Sequence, residues 1–185
     1  VLLNGDQDAA VSDLARIRNG LDEAHTELRE LLHGFRAPVE HRGLGNALEK
    51  LVRRFEQESK VKGFFHRDGR VPLLSSAEEM QVLRITQESL ANIRKHAQAH
   101  TVRVLLSTRA DGSLSLLIED DGVGFEDAAK IGQPGEHIGL SIMEERARRL
   151  GGSLRIESEP GEGTRVELHY QPTVRKDDPA RHWII

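Results

Sequence analysis

Apolar positions follow helical spacing in the first half of the chain and strand-like alternation in most of the second half. Leu14, Ile17, Leu21, Ala24, Leu28, Leu31 and Phe35 recur at steps of three and four. Asp13, Arg18, Asp22, Glu23, Glu27, Arg29 and Glu30 fill the positions between them. This narrow seam predicts a long helix packed in a coiled coil or bundle, against either its own domain or a second chain. Gly20 costs that helix up to about 1 kcal/mol relative to alanine, and Pro38 closes it. A second helix is predicted from Gly43 to Ser59, with Leu44, Ala47, Leu48, Leu51 and Phe55 on one stripe. Lys60 to Gly69 reads as a turn-rich crossing and Val71 to Leu74 as a short strand. Ser75 and Ser76 ahead of Glu78 and Glu79 offer capping-box chemistry for a third helix, which runs to about Gln98. Leu83, Leu90, Ile93 and Ala97 form its buried stripe, while Glu88, Asn92 and His96 line up elsewhere at steps of four.

Alternation then takes over. Thr101 to Thr108 alternates through Val102, Val104 and Leu106, and Ser113 to Glu119 through Leu114, Leu116 and Ile118, with Asp111-Gly112 as the hairpin turn between them. Phe125 to His137 holds two glycines and a proline with little periodicity and reads as a mobile loop. A helix from Leu140 to Leu150 stops at Gly151-Gly152. Ser153 to Glu159, a Pro160-Gly161 turn and Thr164 to Tyr170 make a closing hairpin. This order predicts an α/β two-layer sandwich, a mixed and mostly antiparallel sheet with helices on one face. The other face is left to water or a partner.

At 185 residues the chain suffices for one domain and a smaller appendage. Charged residues make up 30% and aromatics 4%, which favours solvated helices over an aromatic-rich sandwich. A net charge of −4 gives no electrostatic case for nucleic acid or an anionic membrane. Without cysteine there are no disulfides and no thiolate metal sites. No apolar run reaches the length of a membrane span. The chain begins Val-Leu-Leu with no signal-peptide pattern, and so reads as a piece of a longer protein.

Four separated segments carry candidate chemistry. Gln87-Glu88-Ser89-Leu90-Ala91-Asn92 leads into Lys95-His96 on the third helix. Asp120-Asp121-Gly122-Val123-Gly124-Phe125 ends a strand, His137-Ile138-Gly139-Leu140 precedes a helix, and Gly161-Glu162-Gly163-Thr164 sits in a hairpin. Asn92 can give an amide oxygen to magnesium, which keeps several waters and needs few protein ligands. Glu88, one turn earlier, suits a bound water, and Lys95 can lay charge on a phosphate. Asp120 can accept from an adenine amino group while Gly122 and Gly124 let a base approach the backbone. Gly139 and Leu140 open a helix whose free N–H groups favour phosphate, and Thr164 can set a hydroxyl near Asp120. Each segment also has a plain reading: a solvated helix face, an Asp-Gly hairpin end, a glycine cap, a β-turn. Their joint occurrence in this order favours the nucleotide. No P-loop, dinucleotide fingerprint, His-Glu-x-x-His or Gly-x-Ser-x-Gly occurs. His25 and His33 belong to the first helix surface, and His96 reads as a structural or pocket-edge histidine rather than a nucleophile.

Together these segments resemble the ATP-binding domain of sensor histidine kinases, within the group shared with DNA gyrase B, Hsp90 and MutL. Ile17-Arg18-Asn19, Leu28-Arg29-Glu30-Leu31-Leu32 and His137-Ile138-Gly139-Leu140-Ser141-Ile142-Met143 are similar to bacterial nitrate/nitrite sensor kinases. The resemblance implies a Bergerat-type ATP-binding fold over residues 39–172. It makes residues 1–38 part of the dimerisation and phosphotransfer domain and 173–185 a tail. It further implies ATP and magnesium as ligands, Glu88 and Asn92 as the catalytic pair, and Asn92 as the metal contact. Lys95, His96, Asp120, Gly122, Gly124, His137, Gly139, Leu140, Gly163 and Thr164 would line the nucleotide. Implied partners are a LuxR-type (NarL-like) response regulator and a second copy of the intact protein. The chain would be a cytoplasmic portion of a bacterial inner-membrane receptor, reaching the membrane through upstream segments. Two departures stand out: no phosphoacceptor histidine motif is present, and His137 replaces a glycine found in many relatives. Two alternatives stay open, an ATP hydrolase of the gyrase and Hsp90 group in which Glu88 activates water, and a nucleotide-sensing dimerisation module.

Overall fold

A computed structural model of the chain describes residues 43–72, 74–125 and 138–173. The predicted seam helix within residues 1–38, the loop between Phe125 and His137 beyond its first residue, and the tail after Thr173 lie outside the described residues. In chain order come α1 (Gly43–Glu58), β1 (Lys62–Asp68), α2 (Ser76–Asn92), a π-helical turn (Ile93–Ala97), β2 (Thr101–Thr108) and β3 (Leu114–Asp120). Then follow α3 (Ile138–Arg149), β4 (Ser153–Glu159) and β5 (Gly163–Tyr170). The strands form one sheet in the order β1-β2-β3-β5-β4. β1 runs parallel to β2 and every other pairing is antiparallel. The expected two-layer sandwich is thus the fold.

One face of the sheet is apolar. Val102, Val104 and Leu106 of β2, Leu114, Leu116 and Ile118 of β3, and Val166, Leu168 and Tyr170 of β5 are all buried. Leu48 and Val52 of α1, Val82 and Ile85 of α2, and Met143 of α3 join the same core. Each such side chain contributes about 1.5–3 kcal/mol through its removal from water. The opposite face carries charge in register: Arg103 stands opposite Glu119, Glu119 opposite Arg165, and Arg165 opposite Glu157. Ion pairs of 3.5, 3.4 and 3.9 Å link that row.

Two expectations on the early connection are overturned. Lys60 to Gly69 is not a turn-rich crossing but contains β1, and Val71 to Leu74 supplies no strand among its described residues. In β1 the pair Phe64-Phe65 breaks alternation, and Phe64, on an edge strand, stays 53% exposed. Its strand character comes from pairing with β2, which the local pattern does not reveal. Pro72 lacks the N–H that a ladder requires, so Val71 and Leu74 reach the core from an extended connection instead.

The helical stripes are also displaced from the simplest hydrophobic count. On α1, Val52 is fully buried while Ala47 and Leu51 are half-buried. Gly63 lets β1 approach Val52 so closely that an added Cβ would lie 2.8 Å from its Cγ1. On α2 the predicted Leu83 is only half-buried, and the buried band holds Thr86 and Ser89 instead. Both hydroxyls donate to carbonyls one turn back, Val82 and Ile85, at 3.0 Å each, which removes the cost of burying them.

The punctuation follows the sequence. Glu78 N donates to Ser75 Oγ at 3.2 Å and Ser75 N donates to Glu78 Oε2 at 2.8 Å, completing the capping box of α2. At the end of α3, Gly151 N donates to Arg148 O at 2.9 Å and Gly152 N to Ala147 O at 3.0 Å. That is the paired-bond glycine stop, and it turns the chain into β4.

Candidate functional site

Strand alternation decides which way Asp120 points. It follows Ile118 by two residues on β3 and stands opposite buried Val102 on β2 and Thr164 on β5. Directly opposed residues share a face, so Asp120 and Thr164 lie on the helix-covered side, at the mouth of the core. Burial pushes the Asp120 carboxyl above its ordinary value, against the Gly122 and Thr164 N–H groups that favour its charged form. Gly122 N donates to Asp120 Oδ1 at 2.9 Å, leaving Oδ2 with acceptor capacity.

Its neighbour does a different job. Asp121 Oδ1 accepts from His100 N at 2.7 Å and from Thr101 N at 2.8 Å, and Oδ2 accepts from Thr101 Oγ1 at 3.0 Å. These bonds, led by the Thr101 N–H, hold its carboxyl below the ordinary value. Asp121 therefore pins the start of β2, and Asp120 remains for the cavity. The sequence reading missed this division of labour.

The loop after β3 is tied to the two neighbouring segments through its backbone. Val123 N donates to Ala97 O at 2.7 Å, the last residue of the π turn, and Gly161 N donates to Val123 O at 2.7 Å. An added Cβ on Gly122 would collide with the Ala97 carbonyl, and one on Gly163 with the Asp120 carbonyl. Gly163 also has φ +79°, a conformation that side chains disfavour. The glycines are thus spacers between three approaching backbones. Gly124 has the same role against the Glu159 carbonyl.

Asn92 is the last α-helical residue of α2, half-buried, and its side chain caps nothing. One wider turn separates it from the Ala97 carbonyl; π turns of this kind recur at functional sites. Lys95 and His96 project from that turn into solvent. Glu88, a turn before Asn92, packs against Gly139, where an added Cβ would collide with Glu88 Oε1. Leu140 beside it is buried in the core. His137 lies outside the described residues.

The structure therefore brings segments from α2, the end of β3, the start of α3 and the β4–β5 hairpin into contact. A groove of about 1020 Å³ runs along the charged face of the sheet, lined by Arg103, Glu119, Arg155, Glu157 and Arg165, and reaches Asp120, Ser158 and Thr164 at the strand ends. Asn92, Lys95, His96 and Gly139 do not line this groove. The end of the helix that carries the first three reaches the loop after Asp120 through the Ala97–Val123 bond, and Gly139 packs against Glu88. Among the described residues no cluster of three or more His, Cys, Asp or Glu could cage a metal. A magnesium ion here would depend on one amide oxygen and on phosphates.

Ser158 is a further residue that pattern alone did not single out. Its hydroxyl lies 3.0 Å from Phe125 N, 2.9 Å from Gly163 O and 3.1 Å from Thr164 Oγ1. A serine inside an alternating strand carries no signal until the hairpin register sets it beside Thr164.

The profile of the histidine kinase-, DNA gyrase B-, and HSP90-like ATPase family matches residues 77–174. The nitrate/nitrite sensor protein NarQ of Escherichia coli is 36% identical over 171 residues, covering 90% of this chain and 29% of that protein. NarX of the same organism is 34% identical over 163 residues, covering 86% of this chain and 26% of its own length. The chain thus spans less than a third of these curated relatives. Among solved structures, the histidine kinase domain from Erythrobacter litoralis EL346 superposes with a TM-score of 0.60 at 20% identity, covering 70% of this chain and 61% of that one. Full-length ShkA in complex with AMPPNP gives 0.61 at 20% identity, covering 89% and 39%. Those likenesses establish the same fold. With the family match running from α2 through β5, the chain belongs to the histidine kinase-, DNA gyrase B-, and HSP90-like ATPases, as an ATP-binding domain of the sensor histidine kinase kind.

Proposed function

We propose that this chain is the catalytic part of a sensor kinase that binds magnesium-ATP and delivers the γ-phosphoryl group to a histidine on a segment outside residues 1–185. An aspartate on a LuxR-type (NarL-like) response regulator then receives it, in nitrate or nitrite signalling. The observation that carries the reading is the chain of contacts that joins four segments, Gly139 to Glu88, Ala97 to Val123 and Val123 to Gly161, with Asp120 on the helix side of the sheet. Identity to NarQ and NarX supports the choice of signal, and the fold shared with ShkA, solved with AMPPNP, supports the nucleotide.

Each residue has a task in this scheme. Asp120 accepts from the adenine amino group, and Gly122, Gly124 and Gly163 let the backbones around it close up. Thr164 supports the same edge of the base. Asn92 offers its amide oxygen to magnesium, which when bound offsets charge on the β- and γ-phosphates. Lys95 adds positive charge beside it, His96 and His137 border the phosphates, and Gly139 and Leu140 present the N-terminus of α3 to them. Glu88, against Gly139, orients a water or the incoming histidine. In the transfer the γ-phosphorus bond to the bridging oxygen breaks as the bond to a histidine nitrogen forms. The chain contributes position and charge to this step more than covalent chemistry.

In the same reading residues 1–38 belong to a dimeric helical bundle, 39–172 form the catalytic domain and 173–185 a tail, on the cytoplasmic side of a membrane receptor. The test supplies the phosphoacceptor helix in trans with γ-labelled ATP. Labelled phosphohistidine on the wild type and none on Asn92→Ala is the expected result. Steady ATP hydrolysis without any phosphohistidine would instead favour a hydrolase of the gyrase type.

A further inference from the structure

We propose that Ser158 fixes the direction of the Thr164 hydroxyl, making Thr164 a pure acceptor toward the nucleotide base and so selecting 6-amino over 6-oxo purines. This deepens the nucleotide reading above and rests on it.

The argument is a count of protons. A serine hydroxyl has one hydrogen to give and two lone pairs to receive with. Ser158 Oγ has three partners at hydrogen-bonding distance. Phe125 N, at 3.0 Å, can only donate. The Gly163 carbonyl oxygen, at 2.9 Å, can only accept. These two fix the assignment: the Ser158 proton goes to Gly163 O and one lone pair receives the Phe125 N–H. One lone pair is left, and Thr164 Oγ1 lies 3.1 Å away. The Thr164 proton fills it. Thr164 then has lone pairs alone to offer elsewhere.

Asp120 presents the same polarity. Gly122 N occupies Oδ1, and the carboxylate otherwise only receives. Thr164 and Asp120 are directly opposed in the β5–β3 register and lie together on the helix-covered side of the sheet. A base entering there meets two acceptors. An exocyclic amino group with two N–H bonds matches both, whereas a 6-oxo group turns a lone pair toward Thr164. Without Ser158 the Thr164 hydroxyl is free to rotate and donate to that oxygen. Ser158 is thus a positioning residue, acting through Thr164, and it also ties the start of the Phe125 loop to the hairpin. A site built to pair a polar group discriminates strongly against the analogue that mispairs.

The test measures, by calorimetry on the whole chain, affinities for ADP and for inosine diphosphate, which carries a 6-oxo group. Wild type, Ser158→Ala, Ser158→Thr and Asp120→Ala are compared, with unfolding midpoints as a control for folding. The expected result is a preference of wild type for ADP that narrows by about tenfold in Ser158→Ala and is retained in Ser158→Thr. Equal loss for both nucleotides in Ser158→Ala, with the preference unchanged, would overturn the proposal and leave the nucleotide reading intact. Undiminished ADP binding by Asp120→Ala, or none by wild type, would overturn the nucleotide reading and this proposal with it. Should Ser158→Ala fail to fold, Ser158→Thr decides: a lost preference in a folded hydroxyl-bearing variant is an adverse outcome.

Discussion

Val123 N donates to the Ala97 carbonyl oxygen at 2.7 Å, so the loop that follows Asp120 is held against the end of the helix that carries Asn92. Only a residue without a side chain fits beside that bond. Gly122→Ala should push the loop off the π turn, costing about 1–3 kcal/mol of stability as an overpacked contact does, and should weaken nucleotide binding more than stability. Thermal unfolding and nucleotide titration on the same sample separate the two effects. An alanine variant that matches wild type in both would show that the contact can yield.

Asp120→Asn should split stability from binding. The folded-state value of this carboxyl is raised from 3.8, so between 3.8 and the raised value the native chain holds more proton than the unfolded chain. Stability therefore falls as pH rises through that window and stays lowered at neutral pH. The neutral amide removes that loss and still lets its oxygen accept from Gly122 N. The variant should melt higher than wild type at pH 7, with the difference vanishing below the window, while ADP affinity drops roughly 100-fold. A lower melting point at pH 7 would mean that the carboxylate stabilises the empty fold.

Asp121→Ala should do the reverse. Its carboxyl is held low by the Thr101 and His100 N–H groups, so its stabilisation is present above the ordinary carboxylate value and lost as pH falls through the lowered one. Because the carboxylate is exposed and screened by water, removal should cost at most about 1 kcal/mol at neutral pH, and the gap from wild type should close in acid. Base recognition should persist once the variant is folded. Denaturant melts across pH, with ADP titration below the transition, provide the check.

Asn92→Ala should lose affinity for ATP with magnesium present and little without it. Loss of one amide oxygen leaves water to replace it, so a drop of about tenfold is expected. Equal loss with and without magnesium would assign Asn92 to the nucleotide itself.

Much of this was legible along the chain because the relevant signals are local. Alternation in β2, β3 and β5 gave their inner faces directly, Ser75 with Glu78 announced the start of α2, and Gly151-Gly152 marked the end of α3. The candidate site was legible as four segments, and the fold adds their contacts. What escaped was non-local. β1 owes its strand to pairing with β2, and nothing in Gly63-Phe64-Phe65-His66 declares a parallel edge. Thr86 and Ser89 look solvent-facing by composition, yet each hides its hydroxyl on a carbonyl one turn back. Ser158 and Asp121 gain their roles only when register brings Thr164 and the start of β2 within reach.

The Arg103–Glu119–Arg165–Glu157 row carries as many cations as anions. At separations beyond the Debye length, about 8 Å in physiological salt, its fields nearly cancel. Encounters over that patch would proceed without electrostatic guidance from the row, with lifetimes governed by how well surfaces fit on touching.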